Sequence, residues 1–419
     1  MSQKYNKHSL LMAAAATALL VGMGVSGKAQ AADLGGGCCG DLEERVAELE
    51  ATAARKGNRV VSLQVSGQIN KALLIWDDGV DSDAFIVDPD SDGSRLRFTG
   101  KAKLKPGWEA GYTMELNIID AASNRVSQGK NGDDPADNIS VRQNYVYVES
   151  DRLGRISLGQ VSQATDGINE IDVVSTYSTV SKTHYAGAFN IRTAGGGNSG
   201  LQWEDVLGAI GGGQEDIVRY DTPSIYGFIA SASWGDNDVW EIALHYQKEW
   251  NSVKVAAGIG YLADQRGPDV SNVKDQLSGS ISAMHVPTGL FVTFAAGERD
   301  VRDSDVDATN IYFKGGISRN WLPYGATTLW ADYAHFEGFS ENGSLDPDGA
   351  NGPIVNLASS SADVWGFGVV QSFDSAALNV YALTQFYSAD LEGRLGNGGT
   401  TNIDTEDHFA VVIGSHIKF

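Results

Sequence analysis

Apolar and polar residues alternate along this 419-residue chain from Val61 to its end, and this alternation restricts the fold more than any other feature. A period of two places successive side chains on opposite faces of a β-strand, whereas a helix repeats every 3.6 residues. Residues 94–105 show the pattern with an apolar set (Leu96, Phe98, Ala102, Leu104) and a polar set (Arg95, Arg97, Thr99, Lys101, Lys103, Lys105). Because no second kind of core interrupts it, the pattern predicts an all-β fold.

The alternating stretches number sixteen, and most have the length that a tilted strand needs to cross a bilayer, about 9–11 residues. They are 60–77, 94–105, 108–119, 139–149, 154–161, 215–222, 226–234, 238–247, 253–263, 275–286, 290–298, 308–319, 325–336, 361–373, 377–388 and 407–419. Connections after even-numbered strands are short, and all but one of those after odd-numbered strands are long. This pattern is typical of outer-membrane proteins and predicts a 16-stranded antiparallel transmembrane β-barrel over 59–419.

Three details refine the predicted strands. Lys71 falls on the face of the first strand that is otherwise apolar. A lysine that faces lipid at mid-depth costs about 2–4 kcal/mol. We therefore expect a β-bulge at Lys71 that exchanges the two faces of the strand. The final strand carries apolar residues on one face up to the terminal Phe419, which is typical of barrels recognised by the insertion machinery. Tryptophans near strand ends predict an aromatic girdle: Trp76, Trp108, Trp234, Trp240, Trp250 and Trp321.

Composition excludes several other classes of protein. The net charge of −22 (31 Lys+Arg against 53 Asp+Glu) is unsuited to nucleic acid, whose phosphates need a basic surface. A hydrophobic fraction of 42% with 9% aromatic residues is too high for a disordered chain. A single apolar run longer than a dozen residues excludes a membrane protein built of many helices.

The N-terminus predicts export. Residues 1–31 combine a basic start, an apolar run from Leu10 to Val25 and small residues at Ala29 and Ala31, the pattern of a secretory signal peptide. The run is short for the alternative, a membrane anchor. Residues 32–58 predict a periplasmic segment with a coiled-coil-like helix from Asp41 to Lys56, either an oligomer contact or a frayed linker.

The connection 162–214 is the clearest functional signal. Sixteen strands enclose a lumen too wide for side chains to fill, and a loop of this length is rare unless it has a function. We expect it to fold inward and narrow the lumen. Its acidic residues (Asp166, Glu170, Asp172, Glu204 and Asp205) would face basic residues of the wall (Arg95, Arg97, Lys101, Lys103, Arg142, Arg155 and Arg219). Such an arrangement sets a transverse field that orients solutes; the alternative is ion pairs within the wall that only stiffen the barrel.

Several motifs resemble one family. They are 32–39 (ADLGGGCC), 41–45 (DLEER), 65–72 (VSGQINKA), 94–100 (SRLRFTG), 153–160 (LGRISLGQ) and 218–223 (VRYDTP). Together they resemble the alphaproteobacterial general porins over nearly the whole chain. The resemblance implies a sixteen-stranded barrel in the outer membrane, an inward third loop, homotrimers and passive diffusion of small hydrophilic solutes and ions. The family often has arginine where Gln160 stands, so no constriction role is assigned to that position.

Loop 78–93 is strongly acidic and lies at the rim of the long loops, which we expect to face lipopolysaccharide phosphates. Opposed negative charges need divalent bridges, so weak Ca²⁺ or Mg²⁺ binding without a dedicated cage is one interpretation and a solvated charged loop is the other. The residues concerned are Asp78, Asp81, Asp83, Asp88, Asp90 and Asp92. We expect no other cofactor.

Other functions are less well supported by the sequence. No histidine lies in a recognisable nucleophile motif, so we do not expect an enzyme. A substrate-selective channel, for example for sugars or organic anions, would need a stacked aromatic slide, and the aromatics fall mostly on the lipid parity or at the rims. A tether between membrane and cell wall through the N-terminal helix is a third possibility.

Overall fold

The computed structural model describes residues 60–132, 138–174, 176–235, 238–267, 271–302, 307–340, 344–345, 355–395 and 398–419. The predicted signal peptide, Cys38-Cys39 and the helix from Asp41 to Lys56 lie outside these ranges. Among the residues that the structure describes, no helix is both long enough and apolar enough to cross a membrane.

Sixteen long strands form the wall in the described part of the chain. They are β1 (Gln64–Asp77), β2 (Arg95–Lys105), β3 (Trp108–Ile118), β4 (Ile139–Ser150), β5 (Gly154–Ser162), β6 (Gln214–Asp221), β7 (Phe228–Gly235), β8 (Val239–Trp250), β9 (Val253–Asp264), β10 (Val273–His285), β11 (Leu290–Val301), β12 (Ala308–Leu322), β13 (Gly325–Glu337), β14 (Val355–Phe373), β15 (Leu378–Arg394) and β16 (His408–Lys418).

Each strand pairs antiparallel with its neighbours in sequence, and the last strand pairs with the first. In that closing pair Ile69 lies opposite Ile417, and Asp77 lies opposite Phe409. Full closure leaves no long open edge, which is what a sheet needs in hydrocarbon. The predicted 16-stranded barrel is confirmed, with small differences at the strand ends; β14 and β15 extend furthest beyond the predicted limits.

The two faces of the wall differ as the alternation requires. Apolar side chains on the outer face stay half exposed because they point away from the barrel, as Ile242 (53%) and Phe313 (52%) show. Inner positions on the same strands carry polar side chains such as Glu241 and Lys314. The apolar outer band is therefore available to lipid.

Short elements complete the long-loop rim. Strand Ser82–Val87 turns back on the upper half of β1, and strand Thr400–Ile403 pairs with β15. Strands Asn190–Arg192 and Asn198–Gln202 form a hairpin, followed by the one-turn helix Trp203–Val206. Ser344–Leu345 adds to β14.

Two predictions about individual residues are wrong. No register shift occurs at Lys71: it stays on the outer face, and its ammonium pairs with Asp88 (2.7 Å) and with Asp120. Local carboxylates, not a bulge, therefore accommodate this lysine. Trp76 does not belong to a girdle, because it points inward, is 2% exposed and packs on Phe189 at 4.8 Å.

Candidate channel constriction

The connection from β5 to β6 folds into the lumen and follows the inner wall. Early in the loop, the Asn169 side-chain amide donates to the carbonyl oxygens of Gly279 (3.3 Å) and Ala296 (3.0 Å), on β10 and β11. The backbone N–H groups of Ile171 and Val173 donate to wall serines at 3.0 and 3.1 Å. The loop thus satisfies its own polar groups on one wall, as a buried loop must.

Wall side chains also fix the root of the loop. The Glu241 carboxylate, 1% exposed, accepts from the Thr165 backbone N–H at 2.8 Å and from its hydroxyl at 3.1 Å. The Arg219 guanidinium donates to the carbonyl oxygens of Ser162 (2.8 Å) and Gln163 (3.0 Å). These contacts set the angle at which the chain leaves β5 for the lumen.

Two buried ion pairs hold the middle of the loop. Lys182 of the loop contacts Asp332 of β13 at 2.7 Å, and both side chains have no exposed surface. Lys314 of β12 contacts Asp172 of the loop at 2.5 Å. The Ser178 hydroxyl donates to Asp332 at 2.7 Å and accepts from Lys182 at 2.9 Å. Buried charges need such complete pairing, so the loop and this wall depend on one another.

Aromatic contacts hold the segment that reaches the barrel closure. Tyr177 has a φ of 56°, which few non-glycine residues adopt. Its ring stacks on Tyr381 at 4.1 Å, and its hydroxyl lies 2.8 Å from His416 Nδ1 and 3.0 Å from the Asn379 amide nitrogen. The surrounding wall therefore fixes this backbone conformation.

The later part of the loop joins the other long loops. His184 Nδ1 lies 2.9 Å from an Asp90 carboxylate oxygen, and Arg192 contacts Asp78 at 2.8 Å. Burial opposes the charged imidazolium, but the hydrogen bond and charge of Asp90 outweigh it and raise the pKa of His184. Burial likewise opposes ionisation of Asp78, yet its bonds to Arg192, Gln128 and backbone N–H groups lower its pKa.

The predicted basic residues lie mainly on the remaining wall, and three of them surround one acid. Glu115 of β3 has no exposed side-chain surface. It contacts Arg142 at 2.8 Å, Arg95 at 3.9 Å and Arg97. A register shift between β3 and β4 opposes Glu115 to Gln143 and Leu116 to Val141, which makes Arg142 the extra residue of a β-bulge. Arg95 also contacts Asp92 at 3.5 Å, so three guanidinium groups against two carboxylates leave this part of the wall positive.

The other predicted basic residues have separate surroundings. Lys101 contacts Glu109 at 3.3 Å and keeps 64% of its side chain exposed. Arg155 pairs with Glu149 and covers the Tyr147 ring at 4.3 Å, and Arg219 contacts Asp221 at 2.8 Å. Lys103 is exposed. Pairing within the wall, the alternative weighed above, therefore accounts for part of this charge.

The predicted loop acids do not contact Arg95, Arg97 or Arg142 within the described part of the chain. Asp166 accepts from the Gln214 amide at 2.6 Å, Glu170 accepts from the Thr179 hydroxyl at 2.6 Å, and Asp172 belongs to the buried pair with Lys314. These acids therefore take part in anchoring the loop, and the field that we expect between them and the basic wall stays a prediction. In the one-turn helix Asp205 accepts from the Gln202 N–H at 2.7 Å, and Glu204 is exposed.

Sequence reasoning missed Glu115, Lys182, Lys314 and Asp332. Glu115, Lys314 and Asp332 occupy the polar parity of their strands, so the alternation assigns them to the lumen but gives no sign of a partner. Lys182 lies in an irregular segment with no periodicity to read. Pairing across more than a hundred positions becomes visible only in the folded chain.

The acidic residues proposed for divalent ions are dispersed. Asp88 contacts Lys71, Asp90 contacts His184, and Asp92 accepts from the Gln68 amide at 2.6 Å. Asp81 and Asp83 accept from neighbouring backbone N–H groups. Among the residues that the structure describes, no group of three or more His, Cys, Asp or Glu side chains could hold a metal ion. Divalent binding stays a prediction.

Comparison with solved structures shows the same fold in outer-membrane proteins. OmpT, an outer membrane protein of Vibrio cholerae, aligns with a TM-score of 0.53 at 14% identity, over 88% of this chain and 100% of that one. A trimer form of the Vibrio protein gives 0.52 at 15%, over 86% and 100%. An anion-selective porin from Comamonas acidovorans gives 0.52 at 12%, also over 86% and 100%. No curated protein sequence matches significantly.

Comparison with protein families assigns the chain directly. The sequence model of the Gram-negative porins matches residues 14–404, which is most of the chain. This match agrees with the closed sixteen-stranded barrel, its apolar outer band and the loop that narrows its lumen. The chain belongs to the Gram-negative porin family and forms an outer-membrane channel.

Proposed function

We propose that the protein is a general diffusion channel through which small hydrophilic solutes and ions pass between the inward loop and the basic wall. The observation that carries this proposal is the one-sided attachment of the loop. Its anchors lie on strands between β6 and β13 and on β15 and β16, whereas Arg97, Lys101 and Lys103 on β2 keep exposed side chains in the lumen. Exposed charges on an inner wall require water around them.

The field across this passage follows from the charges that stay accessible. The Arg95, Arg97, Arg142 and Glu115 group carries a net positive charge on one side. The loop contributes Glu170 and the other predicted acids on its side, although Asp172 is largely neutralised by Lys314. We propose that this difference orients dipolar solutes and biases ion passage, without a dedicated binding site for one solute.

The finer features of the family resemblance belong to the same proposal. We propose that the chain is an alphaproteobacterial general porin, exported through the signal peptide 1–31 and assembled as a homotrimer. The Vibrio relative in a trimer form supports the oligomer by analogy of fold. The long-loop rim would face lipopolysaccharide, and the segment 32–58 would lie in the periplasm.

Liposome swelling tests the proposal. Proteoliposomes are exposed to uncharged sugars of increasing size, and the initial swelling rate is recorded for each. A general diffusion channel gives rates that fall smoothly with solute size. One sugar or organic anion that enters far faster than others of its size would indicate a substrate-selective channel, and no swelling with any solute would exclude both. Protein-free liposomes provide the control.

A further inference from the structure

A groove runs along the outer face of strand β7. The outward positions of this strand are occupied by an aromatic residue, two small residues and a second aromatic residue: Phe228, Ala230, Ala232 and Trp234. Both aromatic side chains are exposed, and the two alanines leave a depression between them. This depression belongs to a cavity of about 520 Å³ on the outer surface of the barrel.

Larger side chains of the neighbouring strands form the walls of the groove. Ala232 lies opposite Tyr220 of β6 and Ile242 of β8, and Ala230 lies opposite Leu244 of β8. The lining continues across β9 and β10 with Ile259, Tyr261 and Leu277. On β12, by contrast, the outward positions carry Ile311 and Phe313 in place of alanines. The depression is therefore a local feature of the outer wall.

The tyrosine hydroxyls that border the groove already have partners. The Tyr220 hydroxyl donates to the Leu153 carbonyl oxygen at 2.7 Å, and the Tyr261 hydroxyl donates to the Asp275 carboxylate at 2.7 Å. The rest of the lining is almost entirely apolar. An occupant of the groove is thus held by apolar contact and not by hydrogen bonds.

The groove lies at the depth of the hydrocarbon. Six residues separate Phe228 from Trp234, which is about 20 Å along the strand at ~3.3 Å per residue and roughly 14 Å of depth at ~45° of tilt. The apolar band of such barrels is about 25 Å tall. A flexible acyl chain follows a long, narrow depression of this kind, whereas the broad and rigid wall of another barrel cannot enter it.

A positive charge lies at the short-turn end of the groove. Lys248 of β8 shares the outward parity of Leu244 and is exposed. It lies beside Gly227, the residue that precedes Phe228. Lys248 makes no ion pair with any residue that the structure describes. Its ammonium group is therefore free to contact an anionic headgroup at this membrane surface.

The long-loop end of the groove is acidic. Asp275 of β10 lies opposite Asp300 of β11, and Glu298 lies opposite Leu277 of the groove lining. Lys274 contacts Asp300 at 2.5 Å, which neutralises one of these three acids. A lipid phosphate is thus attracted to the short-turn end and repelled from the other end.

We infer that this groove binds one anionic phospholipid of the leaflet that surrounds the short turns. One acyl chain lies along Ala230 and Ala232, and the phosphate contacts Lys248. Short turns of outer-membrane barrels face the periplasm, so the ligand comes from the periplasmic leaflet. The site differs from general lipid contact because a groove encloses one chain and a lysine fixes one headgroup. It lies outside the lumen and is independent of the proposed passage of solutes.

Native mass spectrometry of the folded barrel in detergent tests the site, with phosphatidylglycerol as the probe. The unmodified protein should form a one-lipid adduct at low probe concentration. Ala230→Leu combined with Ala232→Leu fills the groove and should abolish this adduct. Lys248→Gln leaves the groove open and should weaken binding about fivefold, the effect of one lysine near an anionic lipid surface. Heat-modifiable migration checks that each variant is folded.

Two matched controls separate the groove from general effects. Ala296→Leu enlarges an outward alanine of β11, opposite the exposed Ile311 and outside the groove. Lys254→Gln removes a lysine from the same rim, on the lumen parity of Gly258. Both variants should bind phosphatidylglycerol as the unmodified protein does.

Three results would overturn the inference. The first is equal binding of phosphatidylglycerol by the unmodified protein, the double alanine variant and Lys248→Gln. The second is equal binding of zwitterionic phosphatidylcholine by the unmodified protein, because the lysine would then select no charge. The third is displacement of the probe by lipid A or by a second copy of the chain, which would assign the groove to a different occupant.

Discussion

The inner face of this barrel has a wall that the inward loop covers and a basic wall that the loop leaves open. Both carry lysines paired with acidic residues, but these pairs are buried on the covered wall and exposed on the basic wall. On the loop-covered wall, Lys182 and Asp332 have no exposed side-chain surface and are paired at 2.7 Å. On the basic wall, Lys101 is 64% exposed and contacts Glu109 at a longer 3.3 Å. Water screens the second pair and is absent from the first.

The difference shows how one lumen supports both rigidity and transport. Removing a partner from a buried pair leaves an uncompensated charge, so the covered wall should control whether the loop stays in place. Hydrated charges contribute little to stability but set the local potential, so the basic wall should control which ions pass. Substitutions on the covered wall should therefore change mainly the stability of the protein, and substitutions on the basic wall should change mainly its ion selectivity.

The largest expected effect follows from Asp332→Ala. The substitution strips the Lys182 ammonium of its carboxylate and also removes the acceptor of the Ser178 hydroxyl. We expect the free energy of unfolding to fall by about 3–5 kcal/mol and the single-channel conductance to rise as the loop loosens. Urea unfolding in vesicles and planar-bilayer recordings measure the two quantities.

The double variant Lys182→Met with Asp332→Leu is its control. Apolar residues of similar volume remove both buried charges together, so most of the lost stability should return. If the single and double variants unfold at the same urea concentration, an unpaired buried charge is not what destabilises the covered wall.

The next effect concerns the basic wall and is expected in selectivity. Replacing Arg95, Arg97 and Arg142 with glutamine, together with Glu115→Gln, removes three positive charges and one negative charge without leaving a buried carboxylate alone. We expect the cation-to-anion permeability ratio to rise about two- to threefold, with little change in stability. Reversal potentials in a salt gradient measure the ratio.

Two further variants sharpen this prediction. Lys274→Gln removes a positive charge that pairs with Asp300, away from the basic wall, and should leave the ratio unchanged. Glu170→Gln removes a loop acid and should shift the ratio toward anions. Asp172→Asn is less informative, because it also breaks the pair with Lys314. If all of these variants had the same cation-to-anion permeability ratio, ion selectivity would have to be set by other residues of the channel.

A smaller effect is expected from pH at the contact between loops. Because the pKa of His184 is raised in the folded chain, its pair with Asp90 stabilises the fold below the ordinary histidine pKa and is lost as pH rises through the raised value. The pKa of Asp90 is lowered: burial opposes this, but His184 outweighs burial. At the acid end the contact is therefore lost only when pH falls through that lowered value.

Thermal unfolding as a function of pH checks this contact. The unmodified protein should lose about 1.5 kcal/mol between pH 6 and the alkaline side of the His184 pKa, the lower end of the range for a hydrogen bond to a charged group. His184→Gln should be less stable at pH 6 and should lack this component of the pH dependence. If the variant has the same thermal stability as the unmodified protein at every pH, the His184–Asp90 pair is not the source of the pH dependence.

The smallest effect is expected from divalent ions. The acidic residues of the first long loop already contact Lys71, His184, Arg192, Gln68 or backbone N–H groups. Any Mg²⁺ or Ca²⁺ should therefore bind weakly and shift the unfolding temperature only slightly. If a chelator changes neither this temperature nor the ease of extraction from the membrane, divalent bridging does not occur.

The alternation of polar and apolar residues predicts the wall well, because each strand must present one face to lipid and the other to water. Arg97 and Glu115, for example, both fall on the lumen parity. The same rule fails at Lys71, where the sequence signals a bulge but carboxylates from two loops supply the charge. Position near a strand end likewise predicts that Trp76 belongs to the girdle, whereas its side chain points inward and packs on Phe189 of the loop.

The inward loop is predictable in existence but not in its contacts. Its length and apolar content require cover, and the lumen is the only nearby space. Its acids were expected to face the basic wall, yet Asp172 is held by Lys314 on the covered wall. The part of the wall against which the loop packs depends on contacts between residues far apart in sequence. The periodicity of the sequence carries no information about these contacts.

Cysteine accessibility tests the central claim, that solutes pass along the basic wall and not beneath the loop. Arg97→Cys and Ser282→Cys are made in a chain whose Cys38 and Cys39 are serine, and a bulky thiol-reactive reagent is added to open channels. Ser282 is fully buried beneath the loop, whereas Arg97 is accessible. We predict an immediate fall in conductance for Arg97→Cys and no change for Ser282→Cys. Blockade of Ser282→Cys with no effect on Arg97→Cys would contradict the account.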